Sequence, residues 1–124
     1  MSEAFGEART IPATNEAKNI MKKLSGKGLF NEQRDVWTLG AALGIKTGHT
    51  FEKDTRETFQ NINSLDPDGI FAALMVGLHP DLTTDQRLKI LVDYAEWGIR
   101  EIDRKERNGT LDFSKLGDEN QVNG

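Results

Sequence analysis

"RDVWTLGAALGIKTG", residues 34–48, starts as an amphipathic helix and then fills with glycine and alanine. Val36, Leu39, Gly40 and Leu43 fall at i, i+3, i+4 and i+7, which is one helical face. A glycine inside a helix costs about 1 kcal/mol relative to alanine, so a compensating gain is expected. A phosphate-binding turn would want a strand before the glycines, a helix after them and often a Lys-Ser/Thr ending. Here they come at the end of a helical pattern. Gly40 and Gly44, four residues apart, are therefore assigned to close helix contact, and Ala73 and Gly77 repeat that spacing. Gly44 is predicted to end the helix, with a polar loop following over 46–54.

Working outward, Thr14 is the expected cap of a first helix that runs through Ile20, Met21 and Leu24 and stops near Gly26 and Gly28. Asn31 is the expected cap of the second. Asp54 and Glu57 have capping-box spacing, predicting a short helix that buries Phe59 and Ile62. Asp66 followed by Pro67 reads as a cap and a first helical residue. The run "GIFAALMVGL" (69–78) is apolar on all sides and is expected to be the central buried helix, closed by His79 and Pro80. Thr83 and Gln86 open a last helix to about Arg107. Its stripe of Leu88, Leu91, Val92, Ala95, Ile99 and Ile102 is widened by Ile90, Tyr94 and Trp97, and Asn108-Gly109 stops it. No alternating stretch of any length suggests strands. The expected fold is all-α, a compact bundle of about five helices over 13–113, with flexible, fraying segments at 1–12 and 114–124.

With 124 residues, 36% of them hydrophobic and 29% charged, the chain fits one domain. The absence of cysteine excludes disulfides, thiolate metal sites and cysteine nucleophiles. No apolar run approaches the roughly 20 residues needed to span a bilayer. "MSEAFGEART" lacks the basic start and apolar centre of a signal peptide, so a cytoplasmic location is expected.

Catalytic chemistry finds little support in these residues. His49 and His79 have no metal-ligand spacing between them, and neither a metal nor a cofactor is expected. His79-Pro80-Asp81 matches the loop tripeptide of J-domain cochaperones, but the helix before that loop is basic in J-domains and apolar here. The tripeptide is read as a helix stop followed by a start. Asp93, Glu96 and Asp103 are read as a solvated helix face, with Glu96 and Arg100 an i, i+4 pair. Ser25, Ser64 and Ser114 fall at helix ends or in a tail. No enzymatic activity is expected.

The basic residues form two clusters, Lys18, Lys22, Lys23 and Lys27, and Arg100, Arg104, Lys105 and Arg107. Either suits phosphate contact, as in a stand-alone nucleic-acid-binding module. Both also lie toward helix C-termini, where cations complement the helix dipole. The net charge of −4 weighs against a dedicated nucleic-acid binder. A third alternative is a ligand-binding or enzymatic bundle around Trp37, Trp97 and His79. The apolar faces point to more surface than five short helices cover, which leaves a homodimer open.

Three segments, "RDVWTLGAALGIKTG", "DGIFAALMVGL" and "LVDYAEWGIREID", resemble in order and spacing the small accessory proteins of Dnd-type DNA phosphorothioation and related phage-defence systems. In that group an aromatic-apolar start leads into an Ala-Ala-x-Gly helix end, and a Tyr-Ala-x-x-Gly helical turn follows, here Tyr94, Ala95 and Gly98. The similarity covers 34–103; the tripeptide at His79 and Trp97 stand outside its pattern. It implies a non-catalytic accessory subunit working beside DNA-modifying or restricting enzymes through protein partners, with DNA contact open. It brings no catalytic residues.

Overall fold

In a computed structural model, which describes residues 3–53 and 56–116, the chain is mostly helical, with a small two-stranded antiparallel sheet. The expected all-α class is corrected to that extent. A short 3-10 turn (Glu3–Phe5) is followed by β1 (Thr10–Ala13), α1 (Asn15–Gly26), α2 (Gln33–Thr47) and β2 (Glu57–Asn61). Then come α3 (Ile62–Leu65), α4 (Ile70–Leu78), α5 (Thr84–Arg107) and a 3-10 turn at Phe113–Lys115.

The fold is built on the crossing of α2 and α5. At the crossing, side chains are absent from both helices. A Cβ added to Gly40 would stand 2.9 Å from both the backbone nitrogen and Cγ1 of Ile99. One added to Gly44 would overlap the Tyr94 carbonyl, and one added to Gly98 would overlap the carbonyl of Gly40. Backbone thus lies on backbone, which offsets the propensity cost of three helical glycines. Around this seam Val36, Trp37, Ala41, Leu43, Leu91, Ala95, Ile99 and Ile102 are buried.

Local chemistry sets most helix ends. The Thr14 hydroxyl accepts from Ala17 N–H and opens α1. Thr83 and Gln86 bond reciprocally at the start of α5, and Gly109, at φ 73°, follows its last turn. Two expectations about α2 are corrected. Its cap is Glu32, paired reciprocally with Asp35, rather than Asn31. Gly44 lies within the helix, and Gly48, in the left-handed region at φ 75°, ends it.

The short helix expected from Asp54 is replaced by β2, with Glu57 as its first residue; Asp54 itself lies outside the described residues. β2 pairs antiparallel with β1, Thr10 opposite Asn61 and Ala13 opposite Glu57, with an irregularity between Ile11 and Pro12. A proline that cannot donate is tolerated at such a place. Helix begins only at α3, where Ile62 and Leu65 are buried. The N-terminal segment also departs from the loose arrangement expected for 1–12: Ala4, Phe5 and Ile11 belong to the core. Within the expected tail Leu116 is buried, and 117–124 lie outside the described residues.

The largest correction concerns α4, which is peripheral. Only Phe71 and Met75 of its side chains are buried. Phe71 sits edge-on to Trp37, with ring centroids 5.5 Å apart. Asp66, nearly buried, accepts from the N–H groups of Phe71 and Ala72 at 3.1 and 2.9 Å. Its carboxylate thus serves the N-terminus of α4 from a distance, but Gly69 is the cap and Ile70 the first helical residue. That corrects the expectation of Asp66 as cap and Pro67 as first residue, since 67–68 form a turn instead. Asp66→Ala is expected to cost about 1 kcal/mol, read as a lower urea midpoint.

Candidate functional site

On α4, Ile70, Ala73, Leu74, Gly77 and Leu78 fall at i, i+3, i+4, i+7 and i+8 and line one shallow, open apolar groove. Ile70 is 61% exposed, Leu78 52% and Leu74 40%. The assignment of Ala73 and Gly77 to packing within the chain is corrected, because nothing lies within 4 Å of a Cβ placed on Gly77. The helix is nevertheless firmly held. Besides the Asp66 carboxylate, Arg87 donates to the carbonyls of His79 and Pro80 at its C-terminal end. There His79 Nε2 lies 3.0 Å from the Tyr94 hydroxyl. Contiguous exposed apolar surface is where an interaction site is sought first.

The two basic clusters come together, since Lys23 of α1 pairs with Asp103 of α5, and Lys27 with Glu106 at 3.1 Å. Acids are interleaved throughout. Lys18 lies 4.0 Å from Glu57, Arg100 pairs with Glu96 and Glu16, and Arg104 with Glu101. Lys105, largely buried, is 3.8 Å from Glu101, and Arg107 is 3.1 Å from Asp103. Lys22 is exposed without an ion pair among the described residues. A phosphate approaching this end meets Glu101, Asp103 and Glu106 together with the arginines, which weakens the attraction that counterion release supplies.

The solvated face expected for Asp93, Glu96 and Asp103 is corrected: all three are buried. Glu96, 1% exposed, accepts from both the backbone N–H and the hydroxyl of Thr14 at 2.9 Å, and from Arg100. Arg56 Nε lies 3.9 Å from its other side, and the Arg56 guanidinium bonds Asp93 at 2.7 Å. Arg100 also lies over the Phe51 ring. The acids thus join the N-terminus of α1 and the segment around Phe51 and Arg56 to α5. The signal was present in the sequence, because Glu96 is four residues from both Val92 and Arg100.

Ion pairing sets the proton affinities at the surface. Lys53 and Arg100 hold Glu16 below the ordinary carboxyl range, Lys89 does the same to Glu52, and Arg104 to Glu101. Asp112 is lowered by bonds from Ser114. Folded carboxyls that keep their charge to lower pH stabilise the fold above the ordinary glutamate value of 4.5. That contribution is lost as pH falls through the folded values. Lys89, raised by Glu52 and Asp93, and Tyr94, raised by burial, act oppositely: their contribution is full below about pH 10 and lost above it. The urea midpoint is expected to be flat near neutrality and to fall below about pH 4.5 and above about pH 10.

Trp37, Trp97 and His79 have separate neighbours, namely Phe71, His49 and Tyr94. Among the described residues no three His, Asp or Glu side chains are grouped to hold a metal ion, and no helix is long and apolar enough to cross a membrane. The chain matches no protein-family model, no curated protein and no solved structure.

Proposed function

We propose that this chain is a non-catalytic helical interaction subunit that acts through protein contact in the cytoplasm, beside the enzymes of a DNA-modification or phage-defence system. The outward stripe of α4 carries the proposal. Ile70, Leu74 and Leu78 are held in water by a helix bonded at one end by Asp66 and tied at the other by Arg87. The resemblance over 34–103 supplies the biological setting. Tagged wild-type chain and Leu74→Glu are to be compared as baits in a lysate of the host. A DNA-processing protein recovered by the first and lost by the second supports the reading. Equal recovery by both, or recovery of no such protein, overturns it.

A second reading, direct nucleic-acid binding, draws on the adjacency of the α1 and α5 clusters. It is disfavoured by the carboxylates set among them. Titration against duplex DNA at low and moderate salt is expected to show weak binding that disappears with salt. Tight binding that Arg104→Glu and Arg107→Glu abolish would reverse the order of the two readings.

A further inference from the structure

We infer that the groove between α1 and α5 binds a nucleoside monophosphate, with the base on Trp97 and the phosphate between Arg104 and Arg107. The site lies apart from α4 and does not rest on its apolar stripe. The groove is open and holds about 430 Å³, within the range of small-molecule sites. Its apolar part is made by Ile20 of α1, Phe51 and Trp97. Trp97 is half-buried, and the His49 ring lies against its indole with centroids 4.7 Å apart. Arg100 is laid over the Phe51 ring, 3.9 Å from its centroid. Aromatic rings held in place beside cations are what a planar base stacks on.

The spacing of the cations selects the ligand. Trp97, Arg100, Arg104 and Arg107 fall at i, i+3, i+7 and i+10, one stripe along α5. From Trp97 to Arg104 the helix rises about 10 Å, and an arginine leans back toward the N-terminus of its helix. That leaves about one nucleotide's length between the indole and the two outer guanidinium groups. Two arginines also fit phosphate better than carboxylate. One guanidinium fork fills the two oxygens of a carboxylate, whereas a phosphate keeps a further oxygen for the second.

The acids of the rim do not cancel this charge, because each has a lysine besides its arginine. Glu16 pairs with Lys53 as well as Arg100, and Asp103 with Lys23 as well as Arg107. Glu101 lies 3.8 Å from Lys105 and pairs with Arg104. Arg100 is tied further to the buried Glu96 and stays in place. The side chains of Arg104 and Arg107 are at least half exposed, and exposed pairs of this kind hold weakly. Both can turn to a phosphate while Lys105 and Lys23 remain with the acids. Phosphate alone gains little at this end of the molecule, and the stacked base supplies the rest. A longer strand is disfavoured, since beyond the groove it meets a chain of net charge −4.

Titration of the full chain with AMP, followed through the two tryptophan indole N–H signals by NMR, tests the site. Trp37, 1% exposed, is sealed from any ligand and serves as the internal reference. The Trp97 signal is expected to move and saturate at sub-millimolar AMP while that of Trp37 stays. Adenosine and inorganic phosphate, each lacking half of the contacts, are expected to bind more weakly by about tenfold or more. Arg107→Ala is expected to weaken AMP by about tenfold or more. Lys22→Ala, at an exposed lysine outside the groove, is expected to leave it unchanged. A Trp97 signal that is still at millimolar AMP, or inorganic phosphate bound as well as AMP, overturns the site. AMP bound by Arg107→Ala as by the wild type does the same, and so does an equal loss in Lys22→Ala, which reduces the binding to net charge. An adenylate oligonucleotide bound more tightly than AMP overturns the assignment to a single nucleotide.

Discussion

Gly98→Ala is expected to lower stability by about 3 kcal/mol or more, toward the upper end of overpacking costs. In a chain of this length that is a fall of about 10 °C in melting temperature. The reason is a single methyl group. At position 98 it would overlap the carbonyl oxygen of Gly40, which belongs to helix backbone and cannot rotate aside. Relief requires α2 and α5 to separate, and the contacts of Trp37, Ala41, Ala95 and Ile99 loosen with them. Gly77→Ala is the control. Its added methyl meets nothing within 4 Å, and a helical alanine is favoured over glycine by about 1 kcal/mol. That variant, melted at low concentration, is expected to gain a few degrees. Equal effects of the two substitutions would dismiss backbone contact as the basis of the crossing.

The other large effect is expected at Glu96. Truncation to alanine strands the N–H and hydroxyl of Thr14 and leaves the Arg56 and Arg100 guanidinium groups without their shared acid. Breaking a buried pair from one side costs about 3–5 kcal/mol, a large share of the about 5–15 kcal/mol that holds a domain folded. Glu96→Gln keeps an acceptor oxygen for Thr14 and is expected to lose less. Chemical denaturation of the three proteins at neutral pH measures both differences. A loss below about 1 kcal/mol for Glu96→Ala would demote the cluster to surface decoration.

These two positions show which kinds of information were legible in the chain. The ends of α1 and α5 were, because Thr14, Thr83 with Gln86, and Gly109 act on neighbours a few residues away, whereas at α2 Glu32 and Gly48 stand where Asn31 and Gly44 were expected. Gly40 and Gly44 announced a close approach, but the residues they meet, Gly98 and Ile99 for Gly40 and Tyr94 for Gly44, sit in an apolar stripe that gives no sign of which helix it faces. Glu96 read as one half of an i, i+4 pair, while the Thr14 groups that demand its burial lie 82 residues away. β1 has only four residues with a proline among them, too short for alternation to show. Finally, "GIFAALMVGL" read as buried because it is apolar all round. Hydrophobicity states a preference for leaving water, and the number of neighbouring elements decides whether it is met within one chain. Here the neighbours reach only Phe71 and Met75. The candidate contact surface was therefore hidden behind the very composition that suggested a core.

The link between Thr14 and Glu96 also has a bearing on biosynthesis. Everything that receives the first β-strand and the cap of the first helix, residues 57–61 and 96, is translated long after them. At about 5–20 residues per second, the ribosome takes roughly 4–16 s to go from one to the other. Until Glu96 has been made, the N–H and hydroxyl of Thr14 lack the acid that accepts from both, so the beginning of the chain closes fully only with its later half.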